Sequence, residues 1–391
     1  MVNARRRVGK RRAMFDGSLQ KDEKKVEYLE LIYDLIFVYI IGRNNSLLHQ
    51  VENGFVSGEA FLSYVLYTLA VIQIWNYSTF YINRYGRNGT RDHVFLFINM
   101  YLLYHIAEGT GSKQQECFYR YNVAWALILI NIGVQYIIEM KGHRDAPWEI
   151  SQIKRTAAIL FIQAALIAAH MAVYRITGVS SAWAPIAFGI AAAALSGRVN
   201  DLVAVEFAHL TERAMLYVVF TFGEMIIAIA SYFTGETSPR GIYFSLMAFL
   251  AVVSLLLAYG TLYNRIIDRE RSTNGTAYML LHVFIVFALN NITTALEFMR
   301  EEEVSLIPKT VFITASIILY YAMLFLILQC AKKSEASMKR FRVLLPAAVV
   351  FAALMLLLRS AMFANIAVTV IFIYGVYALI YRYGVKAEQV G

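Results

Sequence analysis

Apolar stretches of about 20 residues follow one another through most of this chain, separated by short polar gaps. Of its 391 residues, 59% are hydrophobic and only 16% are charged, whereas soluble domains average about 45–50% and about 25%. A water-soluble globule of this size cannot hide so many apolar side chains, but a lipid bilayer solvates them directly. The sequence therefore predicts an all-α, polytopic transmembrane helix bundle.

Twelve stretches are long and apolar enough to be candidate spans, and the basic residues test that count independently because Lys and Arg collect in cytoplasmic loops. If residue 1 lies in the cytoplasm, all but eight of the 36 Lys and Arg residues fall on the cytoplasmic side. The predicted spans are 26–48, 59–83, 92–112, 117–140, 154–175, 181–198, 209–233, 241–264, 276–298, 308–331, 341–361 and 363–383. This pattern predicts about twelve spans, with both termini in the cytoplasm.

The chain divides into a basic cytoplasmic segment (1–25), two membrane halves of about six helices each (26–198 and 199–383) and a short cytoplasmic tail (384–391). We expect a multi-pass protein of the plasma or bacterial inner membrane. The net charge of +9 does not require a nucleic-acid partner. The basic N-terminal segment fixes orientation, and it could also bind anionic lipid head groups.

Three short motifs recur in the same order in the two halves, which suggests an internal duplication. They are Tyr33–Phe37 and Gly223–Ile227, Tyr81–Arg84 and Tyr263–Arg265, and His93–Phe97 and His282–Val286. Six spans is an even number, so the halves would share one orientation and form a 6+6 parallel repeat. The alternative is coincidence among apolar helices built from few residue types.

Ionisable residues within the predicted spans are the main functional candidates, because a charge in mid-membrane costs about 2.5–3.5 kcal/mol on insertion scales. Glu30 and Asp34 share one face of span 1, since residues four apart align on a helix. His209 and Arg213 share a face of span 7 in the same way, and Glu224 returns to that face three turns later. A buried carboxyl group could carry a proton, which makes Glu224 and Asp34 the leading candidates. Gly223 would permit close helix approach beside Glu224.

Five further polar residues are weaker candidates for a proton or substrate pathway, and each has a simpler structural interpretation. Glu212 is expected to form a boundary ion pair with Arg213, and Arg43 to extend to the outer head groups. Asn83 and Asn264 are expected to end helices at the interface, and His282 to hydrogen-bond a neighbouring helix. We expect Trp75 to belong to an interfacial aromatic belt.

These motifs resemble the bacterial low temperature requirement A family. Residues 29–38, LELIYDLIFV, resemble the family's LELFFDLVFV opening, and residues 209–229 resemble its HLxER…GE helix. Trp75 with Tyr81, Asn83 and Arg84 is similar to its second motif block. The resemblance implies an integral membrane protein associated by name with growth in the cold, and it implies no particular biochemical activity.

Three functions are compatible with these residues. The buried acids favour a secondary transporter or an ion or proton pathway, which would move a proton or a small solute. A membrane sensor or structural protein, and an enzyme acting on a lipid or quinone, are the alternatives. The sequence contains no His-x-x-x-His pair, phosphate-binding loop or nucleophile motif, so a non-enzymatic role is favoured. We predict no cofactor, and no metal because nothing in the sequence resembles a zinc framework. The two cysteines would lie near opposite faces of the membrane, so we expect no disulfide between them.

Overall fold

The computed structural model describes residues 25–110, 115–143, 145–199, 205–235, 237–299, 301–330 and 343–388. The basic segment predicted at 1–25 lies outside these residues except for Lys25, as does the end of the predicted tail, 389–391. Twelve α-helices make up the described part of the chain. They are α1 (Tyr28–Asn44), α2 (Gly58–Tyr85), α3 (Thr90–Gly109), α4 (Gln115–Glu139), α5 (Pro147–Thr177), α6 (Trp183–Val199), α7 (Phe207–Tyr232), α8 (Pro239–Thr261), α9 (Thr276–Phe298), α10 (Leu306–Ile327), α11 (Leu344–Leu357) and α12 (Met362–Glu388).

Local sequence signals mark where several of the helices begin or end. Ser57 and Ser238 cap α2 and α8 by accepting hydrogen bonds from the amides of Ala60 and Gly241. Gly178 ends α5 in the left-handed conformation, with φ of 70°. A π-helical segment, Leu262–Ile266, continues α8. A helix lies at each of the twelve predicted positions, and these signals account for one end each of α2, α5 and α8.

Eight of the twelve helices are both long and apolar enough to cross a membrane: α2, α4, α5, α7, α8, α9, α10 and α12. The helices α6 and α11 are apolar but shorter. Exposed Ile, Leu, Val and Phe side chains cover the outer surfaces of the bundle, as on α1, where Ile32 and Leu35 are exposed. The chain is therefore a multi-pass membrane protein whose apolar surface contacts the lipid bilayer.

Side-chain contacts give the directions of the helices. Glu30 contacts His209 near the beginnings of α1 and α7, and Gly42 lies against Glu224 further along both helices, so α1 and α7 are parallel. Two side-chain contacts at different heights show that α1 and α2 are antiparallel. Two such contacts show the same for α3 and α4. By the same criterion, α8 and α12 are parallel. We call the face at which α1 begins the N-terminal face, and the other the opposite face.

Several helix contacts among α1–α6, which we call the first half of the chain, recur among α7–α12, the second half. Each of the contacts α1–α2, α1–α3, α2–α6, α3–α4, α4–α5 and α5–α6 has a counterpart six helices later in sequence. The halves meet along α1, α2 and α6 of the first half and α7 and α9 of the second. Among the eight long apolar helices, α9 is the most buried, with 78% of its apolar segment inside the bundle. The interface between the halves therefore includes the most buried of these eight helices.

A two-stranded antiparallel hairpin, β1 (Val51–Glu52) and β2 (Phe55–Val56), lies at the opposite face between α1 and α2. Its turn residues Asn53 and Gly54 have φ of 54° and 83°, the backbone that an Asn-Gly turn favours. The carbonyl of Gly54 accepts a hydrogen bond from the amide of Ser305 at 2.6 Å. The hairpin thus joins the α1–α2 connector to the α9–α10 connector.

Candidate functional site

Buried ionisable residues from α1 and α7 meet at the interface between the two halves. Glu30 and Asp34 are the third and seventh residues of α1, and His209 and Arg213 are the third and seventh residues of α7. Residues four apart share one helical face, and the two faces contact each other. We call these four residues the charge cluster; each is at most 2% exposed.

Arg213 is the centre of the charge cluster. Its Nη2 donates to Oδ1 of Asp34, and its Nε lies 3.4 Å from Oδ2 of Asp34 and 3.4 Å from Oε2 of Glu30. The guanidinium is completely buried, and it therefore depends on these two carboxylates to replace water.

Trp75 of α2 completes the surroundings of Asp34. Its indole Nε1 donates to Oδ1 of Asp34 at 2.8 Å. The indole ring stacks on Tyr217 of α7, with centroids 4.4 Å apart and an angle of 27° between the planes. One aromatic pair thereby shields the Asp34–Arg213 ion pair and joins α2 to α7.

Asn83 of α2 fixes the orientation of His209. Its side-chain oxygen accepts the amide N–H of Glu206 at 3.1 Å, and its Nδ2 donates to the Glu206 carbonyl at 2.9 Å. Nδ2 also lies 3.1 Å from Nδ1 of His209. An amide nitrogen donates, so Nδ1 accepts and the ring hydrogen is on Nε2, which lies 3.4 Å from Oε2 of Glu30. The imidazole is therefore directed at the Glu30 carboxyl group.

A small polar cavity adjoins Glu30 on the side away from α7. It has a volume of about 30 Å³ and lies among α1, α2, α3 and α4. Its lining includes Glu30, Ser78 and Asn99, and it extends to Asn88 and Asp92 near the α2–α3 connector at the N-terminal face. A volume of about 10–15 Å³ is enough for one water molecule, so about two or three waters fit beside Glu30.

Glu224 lies in the same α1–α7 interface but not in the charge cluster. Its carboxyl group packs on Gly42, where an added Cβ would lie 2.6 Å from Oε1. Gly42 is eight residues beyond Asp34, which is about 12 Å along the helix axis. Gly223, predicted to permit close packing, has no neighbour within 4 Å of its Cβ position. The glycine that permits the contact is Gly42, on the partner helix.

The structure places the other predicted residues away from the charge cluster. Arg43 and Asn264 are exposed, and Glu212 is half-buried. His282 is buried, and its Nε2 lies 2.9 Å from the hydroxyl of Tyr259 within the second half. Of the ten predicted residues, the structure brings together Glu30, Asp34, Asn83, His209 and Arg213.

Two sequence-based interpretations are wrong in this region. Arg213 pairs with Asp34 and Glu30 instead of forming a boundary ion pair with Glu212. Trp75 is 1% exposed and hydrogen-bonded, so it does not belong to an interfacial belt. Sequence reasoning assigned no role to Tyr217. The resemblance of the Trp75 segment to a family motif was a usable signal for Trp75.

The described residues contain no group of three or more His, Cys, Asp or Glu side chains placed to hold a metal ion. The N–H groups of Arg213 and His209 are instead directed at the carboxylates of Asp34 and Glu30. The site is thus a set of paired acids and bases, which can redistribute protons but shows no metal geometry.

The fold and the buried charges define a multi-pass α-helical membrane protein with an ionisable site between its two halves. The model of the bacterial low temperature requirement A protein (LtrA) family matches residues 25–377. The chain belongs to that family, which confirms the resemblance found in the motifs. Neither the curated proteins nor the solved structures contain a match to this chain.

Proposed function

We propose that this protein is a proton-coupled secondary transporter, or a proton pathway, in which the charge cluster holds the proton. The observation that carries the proposal is the buried contact of Glu30 and Asp34 of the first half with His209 and Arg213 of the second. In transporters built from two packed halves, the substrate and ion sites lie at the interface between the halves, and these residues lie at such an interface.

Charge balance supports a role for the proton. The charge cluster contains two carboxyl groups, one guanidinium and one imidazole. If both carboxylates are ionised and the imidazole is neutral, one negative charge is uncompensated in a site that is shielded from bulk solvent. A net buried charge is costly, so one additional proton on Glu30 or His209 makes the cluster neutral. Movement of that proton would change the pairing between α1 and α7.

The cavity beside Glu30 supports an exchange route toward the N-terminal face. Its polar lining and its volume of about 30 Å³ suit an ordered water next to the carboxyl group. Glu224, packed on Gly42 in the same interface, would be the next carboxyl group toward the opposite face. Glu30 and His209 are therefore the proposed proton-exchanging pair, with Asp34 and Arg213 as its fixed partners.

We further propose that the two halves are a 6+6 parallel repeat. The packing pattern that recurs after six helices supports it, as does the parallel direction of α1 and α7. The third and seventh residues of α1 are acids, and those of α7 are bases. A pseudo-two-fold axis between α1 and α7 would bring these equivalent positions together. In this register Asp34 is equivalent to Arg213 of the second half, whereas the sequence motifs made Asp34 equivalent to Glu224.

The topology in the membrane belongs to the same proposal. All twelve helices would cross the bilayer of a plasma or inner membrane, with halves at 26–198 and 199–383 and both termini in the cytoplasm. The positions of the basic residues support this orientation. The basic segment 1–25 would then lie at the anionic cytoplasmic leaflet.

A structural or sensor role is the second candidate, and one observation favours it. Asp34 accepts hydrogen bonds from both Arg213 and Trp75. The same arrangement would be expected if the only role of Asp34 were to hold three helices together. If packing is the whole role, substitutions in the charge cluster lower stability and alter no flux.

The test is proton movement into sealed proteoliposomes, followed with an internal pH indicator under an imposed gradient and with a panel of small solutes. Wild type should show a proton flux that at least one solute increases, and Glu30→Gln should reduce it to the background. Glu212→Gln is the matched control, because Glu212 lies one residue from Arg213 and outside the charge cluster. Equal background traces from all three proteins would contradict the proposal.

A further inference from the structure

An apolar groove lies on the surface of the second half, between the last turns of α7 and the first turns of α8. Residues 226–233 of α7 and 242–252 of α8 contribute its lining, toward the opposite face. We call it the α7–α8 groove. Its volume is about 440 Å³, which is within the range of about 300–1,000 Å³ that ligand pockets have. Both helices are long and apolar enough to span a membrane, and Ile242, Leu246 and Phe249 on the rim are about half exposed. The groove therefore opens to the bilayer.

The α7–α8 groove offers no free polar group to an occupant. Ser245 is the one polar residue among the described residues that line it. The Ser245 hydroxyl donates to the carbonyl of Ile242 at 3.0 Å, within α8 itself. An occupant with polar groups along this surface would bury them without partners, which is costly. The part of the occupant that lies in the groove is therefore apolar.

The helix α8 can be aligned with α2, its counterpart in the first half. Ser238 caps α8 and Ser57 caps α2. An Asn-Arg pair follows each cap at the same separation along the chain, with Asn264 in the second half and Asn83 in the first. These matches at both ends fix the register, so each residue of the α7–α8 groove on α8 has a defined counterpart on α2.

The corresponding surface of the first half is covered by helices of the second. Ser245 corresponds to Tyr64 of α2. Tyr64 stacks on Phe287 of α9, with ring centroids 5.6 Å apart. Phe61, one turn before Tyr64, meets Phe312 of α10 edge-on at 6.5 Å. All four rings belong to one hydrophobic cluster between the halves, so in the first half α9 and α10 fill this position.

The α7–α8 groove has no such cover. The helix α9 contacts α2 and α6 across the interface between the halves, but its counterpart α3 makes no comparable contact with α8 or α12 among the described residues. Phe249 of the groove is 48% exposed, whereas Thr68, its counterpart on α2, is 0% exposed. The same surface is thus filled by protein in one half and open to lipid in the other.

We propose that an acyl chain of a membrane phospholipid occupies the α7–α8 groove, in the place that α9 and α10 take in the first half. An acyl chain is apolar throughout, as the lining requires, and it reaches the groove directly from the bilayer. A helix of a second copy is the competing occupant. Helices associate in lipid through small residues and interhelical hydrogen bonds, whereas the rim of this groove carries Ile, Leu and Phe. The comparison of the halves rests on the repeat proposed above, and proton transport plays no part in it.

Native mass spectrometry of the full-length protein, with palmitoyl-oleoyl phosphatidylglycerol added to the detergent solution, tests this proposal. Wild type should retain one phospholipid. Ala230→Phe fills the groove from α7 and should raise the dissociation constant of that lipid about tenfold, since displacement of about two methylene groups costs that much. Ser245→Leu fills it from α8 and should act in the same direction, so a folding defect of one variant does not decide the test. Ala168→Phe is the matched control, because Ala168 is exposed on α5 and does not line the groove.

Competition identifies the part of the lipid that is bound. A single-chain lysophosphatidylglycerol should displace the retained lipid, whereas glycerophosphoglycerol, the head group without chains, should not. The proposal is overturned if wild type retains no more lipid than Ala230→Phe, if Ala168→Phe loses the lipid equally, or if wild type is a dimer that Ala230→Phe separates. The last result would assign the groove to a second copy. These readouts involve no proton gradient, so their failure is distinguishable from a failure of the proton-flux test.

Discussion

Removal of Asp34 should be among the most damaging single substitutions in this protein. In Asp34→Ala, the fully buried guanidinium of Arg213 loses two hydrogen bonds, and Trp75 loses its acceptor. Breaking a buried ion pair by removing one partner costs about 3–5 kcal/mol, because the other charge stays buried without compensation. The contact between Arg213 and Glu30 at 3.4 Å offsets part of this loss, so we expect about 3 kcal/mol.

Reversible unfolding in mixed micelles measures this loss, and a double-mutant cycle assigns it to the pair. Arg213→Met removes the stranded charge, so Asp34→Ala should cost much less in that background, with a coupling of about 2 kcal/mol or more. Glu224→Gln is a control at a half-buried carboxyl group and should cost below about 1 kcal/mol. If Asp34→Ala costs no more than Glu224→Gln, the buried ion pair does not exist as described.

Two further predictions concern contacts outside the charge cluster. Gly42→Ala should lower the unfolding free energy by about 1 kcal/mol, because the new Cβ lies 2.6 Å from Oε1 of Glu224. In the double variant, Glu224→Ala should relieve this cost. Additive losses of unfolding free energy would contradict the contact. His49 Nε2 lies 3.0 Å from Oε2 of Glu297, and its Nδ1 lies 3.6 Å from Oε1 of Glu301. The hydrogen bond to Glu297, together with the nearby Glu301 carboxylate, raises the pKa of His49 from 6.5 to about 9. Its contribution to stability should be complete below about pH 6.5 and be lost as the pH rises through about 9. The unfolding midpoint of wild type should therefore approach that of His49→Gln with rising pH, and a constant difference would refute the assignment.

The helices and their polar faces are accessible to sequence reasoning because they depend on local patterns. Apolar length and Lys/Arg asymmetry predict the helix positions, and the spacing of four places Glu30 with Asp34 and His209 with Arg213. The membrane penalty for charge then marks these residues as buried and paired. About half of the candidate site can be predicted in this way.

The remaining half depends on contacts between distant segments. Arg213 and Asp34 are 179 residues apart in sequence, and Glu212 is the nearer acid to Arg213, so proximity along the chain favours the wrong partner. Tryptophan is a residue type that is common at membrane interfaces, and only the packing of α2 on α7 shows that Trp75 binds Asp34. Gly42 acquires its importance from a side chain on another helix. Composition and spacing carry no information about such pairings.

The most direct test of the central claim is to detect the proton on the charge cluster by infrared difference spectroscopy of the reconstituted protein between acidic and alkaline buffer. We predict a carboxylic-acid carbonyl band in wild type that is absent in Glu30→Gln and unchanged in Glu212→Gln. A band that persists in Glu30→Gln, or a wild-type spectrum without one, would contradict a proton-exchanging role for Glu30.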